Sequence, residues 1–150
     1  MKRHETESLS RYINQLYREG VSFLGKEYKR YNIGPGQYQF LVYLYMKDGI
    51  THDELTEKIG VDKAATTRAV SKLEKSGYIN RVQDNKDKRK FYIYLSDHAK
   101  NLKREIIDTS KTWERHLMEK LDEEDIESLY KIFRKLSNKK EDQFREEHFN

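Results

Sequence analysis

Hydroxyl-bearing and basic side chains recur at helical spacing between positions 63 and 75. Asp62 is a good N-cap residue and Gly77 a good C-terminal stop, so the sequence predicts a short helix between them. One side of this helix would face a core and consists of Ala65, Ala69, Val70 and Leu73. The opposite side is small, polar and basic, and consists of Ala64, Thr67, Arg68, Ser71 and Lys75, with Lys72 beside it. A helix with such an outer face can enter the major groove of a DNA duplex.

The chemistry of these side chains predicts different contacts. Arg68 can make two hydrogen bonds to a guanine or a phosphate. Thr67 and Ser71 could donate to phosphates or bases, whereas Lys72 and Lys75 are expected to meet the DNA backbone, where they add affinity without sequence information. The alternative is a solvated surface without a partner. The sequence that follows this helix favours DNA contact.

That following sequence has the pattern of a β-hairpin with a basic tip. Two β-like runs occupy residues 78–82 and Phe91–Leu95, and the second alternates strictly between two faces. Turn formers and charges separate them, and residues 81–90 contain five basic and two acidic side chains, a local net charge of +3. A helix followed by such a hairpin predicts a winged helix, whose wing can reach phosphates or a minor groove.

Other periodic segments must position this unit. Residues 8–31 predict a long amphipathic helix, and Pro35 is placed as the first residue of a second helix that ends near Lys47. Thr51 and Glu54 match a capping box for a short third helix, which Gly60 ends. The third helix, a tight turn and the helix after Asp62 therefore predict a helix-turn-helix.

Two more helices are predicted beyond the hairpin. Ser96 is placed to cap a long helix with an apolar stripe that includes Ile106 and Trp113. Asp122 is placed to cap a final helix with acidic residues in its first turn, which suit the helix dipole. The chain is therefore expected to be mainly α-helical with a small β-wing.

We call the helix that begins after Asp62 the reader helix. An ordered set of residues in this helix and in the hairpin that follows it resembles the MarR family of transcription regulators. The set consists of Thr67-Arg68, Leu73-Glu74, Gly77, Arg81, Asp84, Asp87, Arg89 and Leu95-Ser96. The resemblance implies a winged helix-turn-helix DNA-binding domain at residues 35–95. It also implies that N- and C-terminal helices, within residues 1–34 and 96–150, form a dimerisation domain.

The same resemblance implies a function. Members of this family are homodimers that bind double-stranded DNA at a pseudo-palindromic operator, and the expectation is a repressor that a small-molecule effector releases. In the wing, the resemblance makes Arg89 the tip arginine that enters the minor groove, with Asp87 bracing it through a paired hydrogen bond. Around it, salt-dependent phosphate attraction is expected from Lys86, Lys88 and Lys90. Arg81 is expected to hold the base of the wing instead.

The resemblance also suggests where an effector could bind. Members of the family often have a small-molecule pocket between the DNA-binding domain and the dimerisation helices. Tyr17 and Arg18 on the first helix and Tyr38 on the second could line it, offering a cation and aromatic faces to a phenolic or anionic effector. Most of the eleven tyrosines are expected in the core or at an interface.

Two departures from the family pattern affect DNA recognition. Thr56 stands where an alanine commonly follows Glu-Leu, and Ala64-Ala65 precede Thr66. Neither change is expected to disturb the fold. Both leave fewer direct contacts to bases at these positions, so recognition of DNA shape is expected to contribute more of the specificity.

Composition limits the remaining possibilities. The chain has 150 residues, which fits one domain, and has no cysteine, so disulfides, thiolate metal sites and thiol switches are excluded. Its histidines show no metal-ligand spacing, so surface positions are expected for His4, His52, His98, His116 and His148. Neither a metal nor a cofactor is expected. No apolar run reaches membrane-spanning length and no signal peptide is evident, so a cytoplasmic protein without membrane contact is expected.

Two other functions are compatible with parts of the sequence. A winged-helix protein-interaction module without DNA binding would share the fold, but it would not need Arg89 among so many basic neighbours. An enzyme could use a tyrosine-lined pocket, yet no phosphate loop, nucleophile elbow or paired acid and base is present. The sequence therefore favours DNA binding over both.

Overall fold

A computed structural model describes residues 8–137 of the chain. Contacts divide the chain into two compact units, Met1–Ser110 and Lys111–Asn150. The secondary structure is mainly α-helical with one three-stranded antiparallel sheet, which confirms the predicted fold class. No helix within residues 8–137 combines the length and the apolar character needed to cross a membrane.

The first unit contains six α-helices, one short 3₁₀ turn and three strands among its described residues. In chain order they are α1 (Leu9–Tyr28), the 3₁₀ turn (Lys29–Tyr31), α2 (Tyr38–Met46), β1 (Ile50–Thr51), α3 (His52–Ile59), α4 (Lys63–Lys75), β2 (Ile79–Gln83), β3 (Phe91–Leu95), α5 (Asp97–Asn101) and α6 (Lys103–Ser110). The helix-turn-helix is therefore the pair α3 and α4, and the wing is the hairpin of β2 and β3.

The start of α2 differs from the prediction. Pro35 is not its first residue, because Gly36 has a positive φ of 78° and the chain makes a turn before Tyr38. Gln37 closes that turn, since its side chain accepts the Gly34 N–H and its backbone N–H donates to the Gly34 carbonyl. A left-handed glycine directly after the proline rules out a continuous helix from Pro35.

The caps of the helix-turn-helix follow the sequence closely. Thr51 and Glu54 form both hydrogen bonds of the capping box, and Asp62 accepts the Ala65 N–H at the start of α4. Gly60 ends α3 with φ of 77°, a conformation that a side chain would strain. These local signals fix the turn between the two helices, as predicted.

The inner face of α4 packs into the core of the first unit. Ala69, Val70 and Leu73 are buried as predicted, whereas Ala65 is only half-buried. Thr66, which was not predicted in the core, is fully buried. The Thr56 and Thr66 hydroxyl oxygens lie 2.9 Å apart, so a polar contact joins α3 to α4 inside the core.

The sheet has the order β1-β3-β2. β1 was not predicted, because two residues give no periodicity, but Ile50 pairs with Ile93 and extends the sheet beyond the hairpin. Ile93 and Leu95 are buried, so the sheet packs one face against the helices. The Asp48 carboxylate accepts the Leu95 N–H at 2.8 Å and holds the end of the wing to the turn before β1.

The wing is also attached to the end of α4. The Arg81 guanidinium on β2 donates two hydrogen bonds to the Glu74 carboxylate, at 3.0 and 2.9 Å. This bidentate contact lowers the pKa of Glu74 below its ordinary value, chiefly through the hydrogen bonds from Arg81. The pair therefore adds a direct contact between the wing and the end of α4.

The long helix predicted after Ser96 is interrupted. Ser96 does cap α5 by accepting the Ala99 N–H, but the helix breaks at Leu102 and again before Thr112. At the first break the Leu102 N–H is shared between the His98 and Ala99 carbonyls. Near the second, the Ser110 hydroxyl donates to the Ile107 carbonyl and competes with the backbone pattern.

The second unit contains α7 (Thr112–Met118) and α8 (Glu123–Leu136). Asp122 caps α8 as predicted and forms a capping box with Asp125. No residue of α8 is buried, and its exposed large apolar side chains are Tyr130, Ile132, Phe133 and Leu136. The predicted dimerisation and DNA-binding ranges stay a prediction at this stage.

We expect Thr56 and Thr66 to be energetically coupled. Thr66→Val keeps the shape of the side chain and removes a buried hydroxyl, so it should lower the free energy of unfolding by about 1 kcal/mol. Thr56→Val should have a similar effect. The double variant should lose less than the sum of the two, because each single variant already loses the one hydrogen bond that the two hydroxyls share. Urea unfolding at one protein concentration measures this, and strictly additive losses would contradict the coupling.

We expect the Glu74 and Arg81 pair to stabilise the protein only when Glu74 is charged. The pair is partly exposed, so Glu74→Gln should cost about 0.5 kcal/mol at neutral pH. Because the folded pKa of Glu74 is lowered, that stability is present above the unfolded pKa and is lost as pH falls through the folded pKa. Urea unfolding of wild type and variant across this pH range should therefore converge in acid. Glu57→Gln, an exposed change on α3, is the control, and a pH-independent difference for Glu74→Gln would contradict the expectation.

Candidate nucleic-acid interface

The outer face of α4 is open to solvent. Its exposed residues are Ala64, Thr67, Arg68, Lys72 and Lys75, and Ser71 is half-buried among them. The side chains singled out from the sequence therefore share one face, opposite the buried inner face. Arg68 and Lys72 also border a shallow groove of about 220 Å³ between α4 and the turn before α2, which includes Gly36 and Gln37.

Thr67 is held by two neighbours. Its hydroxyl oxygen lies 2.9 Å from the Lys63 carbonyl oxygen and 3.3 Å from Nε2 of His52, the first residue of α3. Burial lowers the pKa of His52, Asp53 opposes that effect, and the charges of Lys63 and Arg81 add to it. His52 was expected to be an ordinary surface histidine, but it is half-buried against the reader helix.

The wing tip is shaped by Asp84. Its carboxylate accepts the Lys86 and Asp87 N–H groups at 2.7 and 3.0 Å, and these hydrogen bonds lower the pKa of Asp84. The Asp84 N–H donates to the Lys90 carbonyl, and the Gln83 amide donates to the Lys88 carbonyl. The tip is therefore a defined turn rather than a loose loop. In the sequence Asp84 was only part of the family pattern, and its position at the start of a polar turn was the available signal.

Arg89 is the most prominent cation of the wing, and its side chain is 92% exposed. Its backbone N–H and its Nε both donate to the same Asp87 oxygen, at 3.0 and 3.2 Å. Asp87 is thus placed to brace Arg89, though through one oxygen rather than through a pair of parallel hydrogen bonds. Lys86 and Lys88 are also exposed, whereas Lys90 lies over the Tyr92 ring with Nζ 5.9 Å from its centre.

Arg81 lies at the other end of the wing. It is occupied by the bidentate contact to Glu74 described above, so it is not part of the basic tip. This placement agrees with a role at the base of the wing.

The proposed effector residues are only partly brought together. Tyr17 and Arg18 line a groove of about 440 Å³ along α1, with Lys26, Lys29 and Pro35 further along it. Tyr38 does not line this groove, but it lies near Tyr17, since burial first and the Tyr17 side chain second raise the pKa of Tyr38. Its ring stacks on Tyr28, with the centres 5.0 Å apart.

The structure offers no metal centre within residues 8–137, because no group of three His, Asp or Glu side chains there could hold an ion. His98 packs against the Tyr78 ring and His116 against the Trp113 ring. His4 and His148 lie outside the described residues.

The sequence matches the profile of the MarR family over residues 33–91. An uncharacterised HTH-type transcriptional regulator from Bacillus cereus (strain ATCC 10987 / NRS 248) is 31% identical over 137 residues, covering 89% of this chain and 88% of that protein. The HTH-type transcriptional regulator BilQ from Clostridioides difficile (strain CD3) is 28% identical over 130 residues, covering 87% and 88%.

Solved structures agree with these relatives. A MarR transcriptional regulator from Methanosarcina mazei Go1 superposes with a TM-score of 0.75 at 34% identity, covering 85% of this chain and 94% of that one. A mutant Escherichia coli MarR solved with operator DNA has a TM-score of 0.77 at 21% identity, covering 89% and 96%, which is a likeness of fold. Sequence and fold together establish that this chain belongs to the MarR family of winged helix-turn-helix regulators, and it is a DNA-binding transcription regulator and not an enzyme.

Proposed function

We propose that this protein is a homodimeric repressor that binds a pseudo-palindromic operator and is released by a small phenolic or anionic effector. The proposal is supported by one observation: the same domain exposes two basic surfaces, one on α4 and one on the wing. The outer face of α4 carries Arg68 and the wing tip carries Arg89, and the contact of Arg81 with Glu74 links the two elements.

The two surfaces suit different parts of a duplex. The small residues on α4 allow close approach to the major groove, where Arg68 binds a guanine edge or a phosphate. Thr67 contacts a base edge, Ser71 contacts base edges or phosphates, and Lys72 and Lys75 bind the DNA backbone. Arg89 enters the narrow minor groove beside that major groove, where the negative potential is strong. Phosphates are attracted by Lys86, Lys88 and Lys90.

Exposed apolar helix faces support a homodimer. On α1 the exposed large apolar residues are Leu9, Tyr12, Ile13, Leu16 and Tyr17, and Tyr17 is 72% exposed. On α8 the four residues named above are between 43% and 59% exposed. Apolar faces of this kind mark interaction surfaces, and a second copy of the chain can bury both of them. A two-fold dimer then presents two α4 helices to a pseudo-palindromic site. Binding of such a site over a promoter represses transcription by blocking polymerase.

The groove along α1 is the proposed effector site. Its lining offers the Tyr17 ring with the cations Arg18, Lys26 and Lys29 and no acidic side chain, which suits an aromatic anion. The 3₁₀ turn after α1 contacts the end of the reader helix, because the Ser76 hydroxyl donates to the Asn32 carbonyl and the Tyr78 hydroxyl donates to the Tyr31 carbonyl. A ligand that favours one position of α1 therefore changes the position of α4 and shifts the dimer away from its DNA-binding geometry.

We expect Arg68 and Arg89 to contribute differently to DNA binding. In selection from a random duplex pool, wild type should enrich a palindrome. Arg68→Ala should weaken binding to that palindrome by about 1–3 kcal/mol and relax preference at one base pair. Arg89→Ala should weaken binding and reduce the preference for narrow-groove flanks, with a shallower dependence of log Kd on log salt.

Arg104→Ala, an exposed change on α6, is the charge-matched control and should bind as wild type does. Failure of the wild type to enrich any duplex, with weak binding that moderate salt abolishes, would contradict the operator-binding role. Such a result would instead support the winged-helix interaction module.

We expect Arg18 to be required for the effector response. A panel of phenols and aromatic carboxylates is titrated into the protein–operator complex, and an active compound should raise the apparent Kd. Arg18→Ala should abolish that shift while leaving DNA affinity without ligand unchanged, because Arg18 lies on α1 and not on the reader. A panel without any active compound, or a full response from Arg18→Ala, would count against the site, and Arg104→Ala again serves as the control.

A further inference from the structure

The contact between His52 and Thr67 joins a titratable ring to the proposed reading face. His52 is the first residue of α3, and its Nε2 lies 3.3 Å from the Thr67 hydroxyl oxygen on α4. His52 is half-buried, while Thr67 is exposed on the surface that faces DNA in the proposed complex. The donor and acceptor in this contact determine what Thr67 can offer to a base.

Counting protons settles the direction of the hydrogen bonds. Thr67 has one hydroxyl proton, and its oxygen lies 2.9 Å from the Lys63 carbonyl oxygen. Two oxygens at that separation repel one another unless a proton lies between them, so Thr67 donates to Lys63. Its oxygen can then only accept from His52, which requires the neutral imidazole to carry its proton on Nε2. One lone pair of the Thr67 oxygen is left for a ligand.

We propose that the Thr67 hydroxyl, which donates its proton to the Lys63 carbonyl and is held in place by Nε2–H of the positioning residue His52, acts only as a hydrogen-bond acceptor, so that Thr67 selects a base carrying an exocyclic amino group in the major groove. The inference rests on the proposed placement of α4 in that groove. Adenine N6 and cytosine N4 are the amino donors there. Guanine O6 and N7, thymine O4 and phosphate oxygens only accept, so a hydroxyl whose proton is already used cannot bind them.

The surroundings of His52 keep this preference independent of pH. Asp53 on α3, Lys63 on α4 and Arg81 on β2 are the charged groups near the ring, and burial with the two cations favours the neutral form. When His52 is protonated the new proton goes to Nδ1, and Nε2–H still donates to Thr67. The Nδ1–H tautomer could donate to Thr67 only after Nε2 is protonated, so the preference of Thr67 for an amino group would then appear only in acid.

Base analogues test the proposal directly. In the best duplex selected from a random pool, each adenine is replaced by purine and each cytosine by 2-pyrimidinone, which lack the amino group. Wild type should lose roughly three- to tenfold in affinity at one symmetry-related position, the value of one hydrogen bond. Thr67→Val should bind the unmodified duplex with a similar loss and be insensitive to the analogue. His52→Phe should keep only part of the sensitivity, because Thr67 still donates to Lys63 but its hydroxyl has lost its second restraint. His52→Gln, whose amide N–H can replace Nε2–H, should restore sensitivity.

The pH profile and an NMR measurement complete the test. The analogue effect in wild type should stay constant through the titration of His52, and two-bond ¹H–¹⁵N correlations of the free protein should show the Nε2–H tautomer. Full sensitivity in Thr67→Val, an undiminished sensitivity in His52→Phe, or the Nδ1–H tautomer in the free protein would overturn the proposal while leaving the regulator intact. Failure of wild type to select any duplex would instead overturn the proposed function and this inference with it.

Discussion

The reader helix α4 is held mainly from its inner face and its two ends, and on its exposed outer face His52 contacts Thr67. Inside, α4 is buried through Val70 and Leu73, and the Thr66 hydroxyl meets Thr56 on α3. At its start Asp62 caps the first turn, and at its end Glu74 meets Arg81 of the wing. The geometry of the exposed face depends on these few contacts, since an open face contributes no packing of its own.

Much of the fold could be predicted because residues close together in the sequence specify where the helices begin and end. The caps at Thr51, Asp62 and Ser96 satisfy backbone groups within three residues of themselves, so their meaning is visible in a short window. The failures are features that depend on conformation or on distant partners. Pro35 suggested a helix start, but the left-handed Gly36 prevents it. The strand β1 exists only because residue 50 meets residue 93.

The same difference between local signals and distant contacts applies to the candidate nucleic-acid interface. The outer face of α4 and the basic wing tip follow from periodicity and charge, so the sequence indicated them correctly as neighbours on their elements. Tyr38 was grouped with Tyr17 and Arg18 by resemblance, and its part in ligand binding stays a prediction. Its stacking on Tyr28 is a pairing between helices that sequence spacing does not reveal. The contact of His52 with Thr67 spans fifteen positions and could not be seen without coordinates. Sequence thus predicts which side chains face outward better than it predicts which ones restrain them.

The turn at the wing tip has a consequence for divergence among related regulators. The conformation of the tip is imposed by the Asp84 carboxylate, which binds backbone N–H groups rather than side chains. Side chains at positions 86 and 88 can therefore be exchanged without remodelling the loop that carries them. Mutation can adjust the strength of groove binding in small, nearly independent increments while the scaffold stays constant. Point substitutions at these two positions can in this way change the charge of the wing among related regulators without changing its backbone.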